Sequence, residues 1–304
     1  MQTEFVPVTG DTHELQFKRS PAQKWFLGLY HRTSAPLLNA QKSFSNDSQG
    51  MYVVGADGTS YGYTNDHDPS NIHACMDGAL ERFRARPPKT VAISQKEIQA
   101  RFAITPAPST SVVRVFSRIR PLPKGCTGLN RSVGRDFLWI YRDEARAMLV
   151  AGKRPGEALK LPRSLAVRMA RFHLLDNVRG TPDMWAAAEV KRLAFTASVV
   201  RDTGVARTIA FSGRFAMQTS SGRKGYEGKV EGQFDIRISD ARIVRFRAFG
   251  DGKAWGSGTY TPNAPRGRYT LQVAMVEAHD AIARIVPPEA VSTENSDAKY
   301  HHPD

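Results

Sequence analysis

The chain has few of the residues and segments that would place it in a specialised class of protein. Cysteine occurs only twice in 304 residues, as Cys75 and Cys126, so no disulfide framework supports the fold. No apolar run approaches the roughly 18 residues of a transmembrane helix, and the first residues lack the basic and apolar regions of a signal peptide. The sequence therefore predicts a soluble protein that is cytoplasmic as given, or secreted if a leader was removed.

Several motifs with a known mechanism are also missing. The chain contains no P-loop and no Gly-x-Gly-x-x-Gly fingerprint for a dinucleotide. RNA-binding aromatic signatures, zinc-finger spacings and a basic helix are likewise absent. The sequence leaves open whether the protein is an enzyme.

Positive charge exceeds negative charge throughout the chain. There are 43 Lys and Arg residues against 29 Asp and Glu residues, a formal net charge of +14. Residues 1–150 carry 19 basic and 13 acidic side chains and the remaining residues carry 24 and 16, so no single domain concentrates the charge. Such a chain attracts phosphates, nucleic acids and anionic surfaces without specificity, although an Arg-rich proteome explains the same composition.

The first part of the chain predicts a strand, a helix, a hairpin and a second helix. Residues 5–8 form a short apolar strand pattern, and residues 21–30 begin with Pro and carry a helical apolar stripe. Asp57-Gly58 is a tight-turn signal between two β-rich runs, which predicts a hairpin. Asp68 followed by Pro69 indicates the N-cap and the first position of the next helix.

This order of elements resembles a reduced thioredoxin-like domain, whose second half is a hairpin followed by a packing helix. The stretch QGMYVVGADGTSYGYTNDHDPSNIHACMDGALERF is similar to that half. The resemblance implies the fold over residues 5–86 without its chemistry, since no Cys-x-x-Cys follows the first strand and no Pro precedes Met51. Residues 1–88 are therefore expected to form a redox-inactive, thioredoxin-like domain.

The remainder of the chain predicts a second domain with a large antiparallel sheet. Two prolines end the second helix and begin a linker over residues 89–110. Further strands, three helices, the third a short one predicted from Thr181 to Val190, and five long period-two strands follow, and the five long strands lie between about residues 191 and 278. The predicted fold class is α+β, with helices covering a long-stranded, barrel-like antiparallel meander in residues 111–286 and a disordered tail at 287–304.

The most unusual segment covers residues 98–135, which contain no Asp or Glu. Its glycine-containing loop offers backbone N–H groups, and its arginines offer planar donors to an anionic ligand. The residues predicted to bind a small anion are Arg118, Arg120, Arg131 and Arg135. Alternatively, these arginines pair with the acidic faces of the later strands.

A second group of residues offers a different chemistry. Glu277 and His279 stand two residues apart at the end of the last strand, where His173 could approach them, with His67 as a further member. Such a group can hold a divalent metal, or serve as acid and base in a hydrolase or an oxygen-handling enzyme. Singly placed histidines are more often hydrogen-bonded structural residues. Nucleic-acid binding driven by the net charge is the third hypothesis, and the sequence does not determine the oligomeric state.

Overall fold

The computed structural model describes residues 5, 15, 21–40, 50–66, 68–89, 106–280, 282–284, 286–292 and 297–303. The chain divides into two compact units, Met1–Phe102 and Ala103–Asp304, and this division falls inside the predicted linker. The strand predicted at residues 5–8 lies outside the described residues except for Phe5. No helix in the described part of the chain is long and apolar enough to cross a membrane.

The described part of the first unit contains two helices and a two-stranded antiparallel sheet. Its elements are α1 (Pro21–Ala40), β1 (Met51–Val54), β2 (Ser60–Thr64) and α2 (Pro69–Ala85). In the turn of the hairpin, Asp57 Oδ1 accepts a hydrogen bond from Thr59 N at 2.9 Å. Asp68 caps α2 by accepting from Ser70 N at 2.8 Å. The predicted hairpin and the predicted helix start are both confirmed.

The second unit is built on one eight-stranded antiparallel sheet. The strands are β3 (Ser111–Ile119), β4 (Gly134–Ile140), β5 (Ala158–Leu159), β6 (Val190–Asp202), β7 (Ala206–Gln218), β8 (Gly225–Arg237), β9 (Ile243–Trp255) and β10 (Arg268–Glu277). Their order in the sheet is β4-β3-β10-β9-β8-β7-β6-β5. Consecutive hairpins from β6 to β10 form the predicted meander, and the β3–β4 hairpin adds to it beside β10. The α+β class and the large antiparallel sheet are therefore confirmed.

Helices cover the inner face of this sheet, the face that carries the buried apolar side chains. They are α3 (Arg142–Ala151) and α4 (Arg163–Phe172), which connect β4 to the start of the meander. Leu165 and Met169 of α4 lie in one core with Ile209 and Phe234 of the sheet. Alternate residues of each strand point to the opposite, outer face, where β8 carries Glu227, Lys229 and Glu231.

The segment expected to be a disordered tail has ordered structure where it is described. It contains the short helices α5 (Glu289–Ser292) and α6 (Asp297–His301). Tyr300 is fully buried, with its ring edge-on to Trp139 at a centroid distance of 6.2 Å. The expectation of disorder rested on local composition, whereas the arginines that bind this segment lie 132 residues earlier in the chain.

Candidate functional site

The outer face of the sheet carries a groove of about 540 Å³ that extends across β6 to β10. We call it the basic groove, and its polar lining residues are Lys191, Arg192, Arg214, Glu227, Lys229, Asp251, Lys253 and Thr270. Side chains alternate between the two faces along each strand, and this alternation positions the lining residues. Tyr226 and Val230 of β8 are buried in the core, so Glu227 and Lys229 point outward. The backbone of the directly opposed Gly228 and Gly252 also lines the groove.

The register of the strands places cations beside one another in this groove. Lys229 on β8 lies directly opposite Arg214 on β7, and Arg192 on β6 is opposite Ala216, one diagonal step from Arg214. Directly opposite side chains have Cβ atoms about 5 Å apart, and like charges in that position destabilise a sheet. Within the described residues, none of the three cations has a carboxylate within the 4.0 Å of an ion pair. None of the three is therefore ion-paired, although Asp251 lies directly opposite Lys229 on β9.

Two carboxylates also line the groove, of which Glu227 is ion-paired and Asp251 accepts a hydrogen bond from an uncharged amide. Glu227 forms an ion pair with Arg268, and Asp251 Oδ1 accepts a hydrogen bond from Gln272 Nε2 at 3.3 Å. Five cationic side chains thus line the groove beside two acidic ones. This excess of positive charge suits a ligand with more than one negative charge.

Two of the four arginines predicted to bind an anion extend the same surface. Arg118 on β3 is opposite Gln272, Gln272 is opposite Asp251, and Asp251 is opposite Lys229. Arg118 therefore lies three strands from Lys229, about 14 Å at the usual strand spacing. Arg120 follows β3 and donates its backbone N–H to Thr270 O at 3.1 Å. Neither side chain lines the groove itself.

The loop predicted to bind an anion borders a second depression, the loop cleft, of about 620 Å³. It is formed by residues 123–130, residues 262–266 and Arg179, and none of these residues is acidic. Lys124 and Arg266 are exposed and have no ion-pair partner among the residues that the structure describes. They are therefore the cations that the cleft offers to a ligand.

The predicted residues Arg131 and Arg135 are exposed but do not line either site. Arg131 directly follows Asn130, a lining residue of the loop cleft. Arg135 on β4 lies opposite Phe116 on β3. The four predicted arginines thus lie in different parts of the second unit, and none of them lines the basic groove or the loop cleft.

A buried network holds the two loops of the cleft together. Arg179 Nη2 donates to Asp176 Oδ2 at 2.7 Å, Nη1 donates to Asn130 Oδ1 at 3.2 Å, and Nε donates to Pro262 O at 2.9 Å. Tyr269 also donates its hydroxyl to Asp176 Oδ2, at 2.5 Å. Burial and the neighbouring Asp176 carboxylate raise the pKa of Tyr269, so the hydroxyl stays a donor. Arg179 is therefore a positioning residue with a compensated charge.

His173 does not join the predicted metal group, because it serves the buried contact with Tyr300. Its Nδ1 lies 3.0 Å from Asp136 Oδ2, and its Nε2 lies 3.1 Å from Tyr300 Oη. The same Oη accepts a hydrogen bond from Trp139 N at 2.9 Å. Burial raises the pKa of Tyr300, so its hydroxyl keeps the proton. Both ring nitrogens of His173 are thus engaged by the protein, which is the structural role that single histidines commonly have.

Arginines of α4 complete the attachment of the segment around Tyr300. Arg168 is fully buried, and its Nη1 lies 2.8 Å from Glu144 Oε1. Its Nε donates to Tyr300 O at 2.9 Å, and Arg171 Nη1 donates to Pro303 O at 2.6 Å. These contacts bind the main chain of the segment.

The other members of the predicted metal group lie at the end of β10. His279 Nε2 is 3.8 Å from Glu277 Oε1, and Glu277 Oε2 accepts a hydrogen bond from Phe246 N at 3.0 Å. Across the described ranges, no group of three or more His, Cys, Asp and Glu side chains could hold a metal ion. His67 lies outside the described residues. Among the described residues, Glu277 and His279 thus do not form a metal-binding group with His173.

A Gly-x-Ser-x-Gly pattern occurs at residues 58–62. In hydrolases this pattern places the serine on a sharp turn between a strand and a helix. Here Ser60 instead begins the second strand of the antiparallel hairpin. The pattern therefore belongs to the turn of the hairpin and does not present a nucleophile.

Comparisons with known proteins add no relative from which a function could be transferred. No protein-family model, no curated protein and no solved structure matches the chain.

Proposed function

We propose that the second unit binds small anions with more than one negative charge in the basic groove. The observation that carries this proposal is the direct opposition of Lys229 and Arg214, neither of which has an ion-pair partner among the described residues. An anion bound between the two side chains would offset their repulsion. The guanidinium offers a planar pair of donors and the ammonium offers a point charge, a combination that suits phosphate and sulfate oxygens.

The surroundings of this pair support the same proposal. Arg192 supplies a third cation one diagonal step away from Arg214. The volume of about 540 Å³ lies within the range of about 300–1,000 Å³ that is usual for small-molecule sites.

The test is a thermal-shift and calorimetric titration of the full chain with sulfate, phosphate and pyrophosphate. A ligand at 100 times its Kd stabilises a protein by about 2.7 kcal/mol, which raises the Tm of a unit of this size by several degrees. The double variant Arg214→Gln and Lys229→Gln should lose most of this shift. The matched control, Lys153→Gln with Arg154→Gln, removes the same charge from two exposed residues on the loop after α3 and should keep it.

The proposal fails if none of the three anions shifts the wild-type Tm, or if the groove variant responds as the wild type does. The loop cleft is the second candidate for the same chemistry, because Lys124 and Arg266 line it without an acidic residue. Loss of the shift in Lys124→Gln with Arg266→Gln, but not in the groove variant, would assign binding to the cleft. The variant Arg131→Ala with Arg135→Ala tests the pair predicted from the sequence in the same assay.

For the first unit we propose a redox-inactive, thioredoxin-like fold over about residues 5–86. The order α1, β1, β2, α2 and the antiparallel hairpin support this proposal. Cys75 is a free thiol, and burial raises its pKa against the opposing effect of Arg82. A thiol with a raised pKa is a weak nucleophile at neutral pH, so the first unit is proposed to lack dithiol chemistry.

A further inference from the structure

A second hollow, of about 720 Å³, lies next to the basic groove on the outer face of the sheet. We call it the aromatic hollow, after Phe249, whose side chain is 42% exposed. Thr196, Ser212 and Gln233 also line it, and its only charged lining residues are Glu231 and Arg247. The hollow thus combines an exposed ring with hydroxyl and amide groups that can form hydrogen bonds.

The groove and the hollow run side by side across the same strands. Ser212 and Arg214 stand two residues apart on β7, and Phe249 and Asp251 stand two residues apart on β9. Residues with this spacing share a face and are about 7 Å apart along the strand. The row Ser212, Glu231 and Phe249 is therefore parallel to the row Arg214, Lys229 and Asp251, one step away.

The aromatic row continues toward the edge of the sheet. Phe249 is opposite Ala274, and Ala274 is opposite Phe116, so the two phenylalanines lie two strands apart, about 10 Å. Phe116 has Arg135 opposite it on β4 and Arg118 two residues further along β3. Two phenylalanine rings therefore lie on the outer face between β9 and β3, with Arg118 and Arg135 beside Phe116.

We propose that this outer face binds single-stranded nucleic acid, with phosphates in the basic groove and bases against Phe249 in the aromatic hollow. The proposal rests on the proposed anion binding of the groove and names the class of ligand that uses it. Bases stack on exposed aromatic side chains whatever their sequence, while cations follow the phosphate backbone. The distance between the two rows allows one strand to use both at once.

The charges and the shape of the hollow distinguish this ligand from other polyanions. Glu231 lies between Ser212 and Phe249 in the sheet, so a carboxylate faces the hollow and directs phosphates toward the groove. The bases of a duplex are stacked on one another and cannot reach Phe249. A recessed hollow also gives no advantage on a flat lipid surface, where apolar side chains have to project.

The test measures the fluorescence anisotropy of a labelled 15-nucleotide oligo(dT) titrated with the full chain at low salt and then at rising salt. The variant Phe249→Ala should weaken binding about tenfold or more. Phe249→Leu, which keeps an apolar side chain in place, should weaken it similarly. Tyr260→Ala is the matched control, because Tyr260 is 70% exposed on a loop and should change the affinity by less than about twofold.

The groove variant Arg214→Gln with Lys229→Gln should reduce the slope of log K against log salt by about 1.4, because each phosphate contact on a single strand contributes about 0.7. If oligo(dT) does not bind while pyrophosphate still shifts the Tm, the nucleic-acid proposal is wrong and the anion proposal stands. If a duplex, heparin or anionic vesicles bind as tightly and both Phe249 variants bind normally, the face is a general polyanion surface and the inference is overturned.

Discussion

Removal of a single hydroxyl group, in the variant Tyr300→Phe, tests how the segment 297–303 is bound. The Tyr300 Oη accepts the N–H of Trp139 at 2.9 Å and lies 3.1 Å from His173 Nε2. Without the oxygen, the buried Trp139 N–H has no acceptor, which costs about 1–3 kcal/mol, and the lost hydrogen bond to His173 adds about 1 kcal/mol. The free energy of unfolding of the second unit should therefore fall by about 2–4 kcal/mol.

Urea denaturation followed by tryptophan fluorescence measures this change. Three of the four tryptophans, Trp139, Trp185 and Trp255, belong to the second unit, so the signal reports mainly on it. The shift should appear in the midpoint and not in the slope, because the surface exposed on unfolding is unchanged. Tyr260→Phe removes a hydroxyl from a side chain that is 70% exposed and should leave the midpoint unchanged. A Tyr300→Phe midpoint equal to that of the wild type would refute the buried contact.

Three further predictions concern other parts of the molecule. Gly252→Ala should lower the free energy of unfolding in urea by about 1–3 kcal/mol, because a Cβ there would collide with the backbone of Glu227; an unchanged midpoint would contradict this. Burial alone would raise the pKa of Asp183, but the Lys224 ammonium and a backbone N–H outweigh it and lower the pKa. A carboxyl whose pKa is lowered in the folded state stabilises the protein above the unfolded pKa of about 4, and this stabilisation is lost as the pH falls through the folded pKa. The variant Asp183→Asn should therefore flatten the fall in Tm below about pH 4. An equally steep fall would count against the ion pair. Burial raises the pKa of Cys75, so iodoacetamide should alkylate it more slowly than free cysteine at neutral pH, as measured by peptide mass spectrometry. Labelling faster than that of free cysteine would contradict this prediction.

The elements that the sequence predicts well are those fixed by neighbours in the chain. Asp57-Gly58 determines a turn and Asp68 with Pro69 determines a helix start, because the groups that interact are only one to a few residues apart. The alternation of β8 likewise separates a buried face from an exposed one without any knowledge of its partners. The α+β class and the long antiparallel meander follow from such local patterns.

The candidate site depends on the register between neighbouring strands, which no local pattern in the sequence specifies. Arg214 and Lys229 are both outward-facing in their own strands, but only the pairing of β7 with β8 places them opposite each other. A shift of two residues would preserve every buried position and set Arg214 opposite Glu227 or Glu231 instead. The acid-free segment before residue 136 can be recognised in the sequence because it is contiguous, whereas the cations of the basic groove come from four different strands.

The attachment of Tyr300 to α4 also has a consequence for the order in which the protein is made. Arg168 leaves the ribosome 132 residues before the carbonyl group that it binds. At a synthesis rate of about 5–20 residues per second, this is a delay of about 7–26 s. During that interval the nascent second unit has its sheet only in part and its buried arginines and His173 still in contact with water. A chain that ends before Tyr300 would therefore leave Arg168 and His173 without their contacts to this segment.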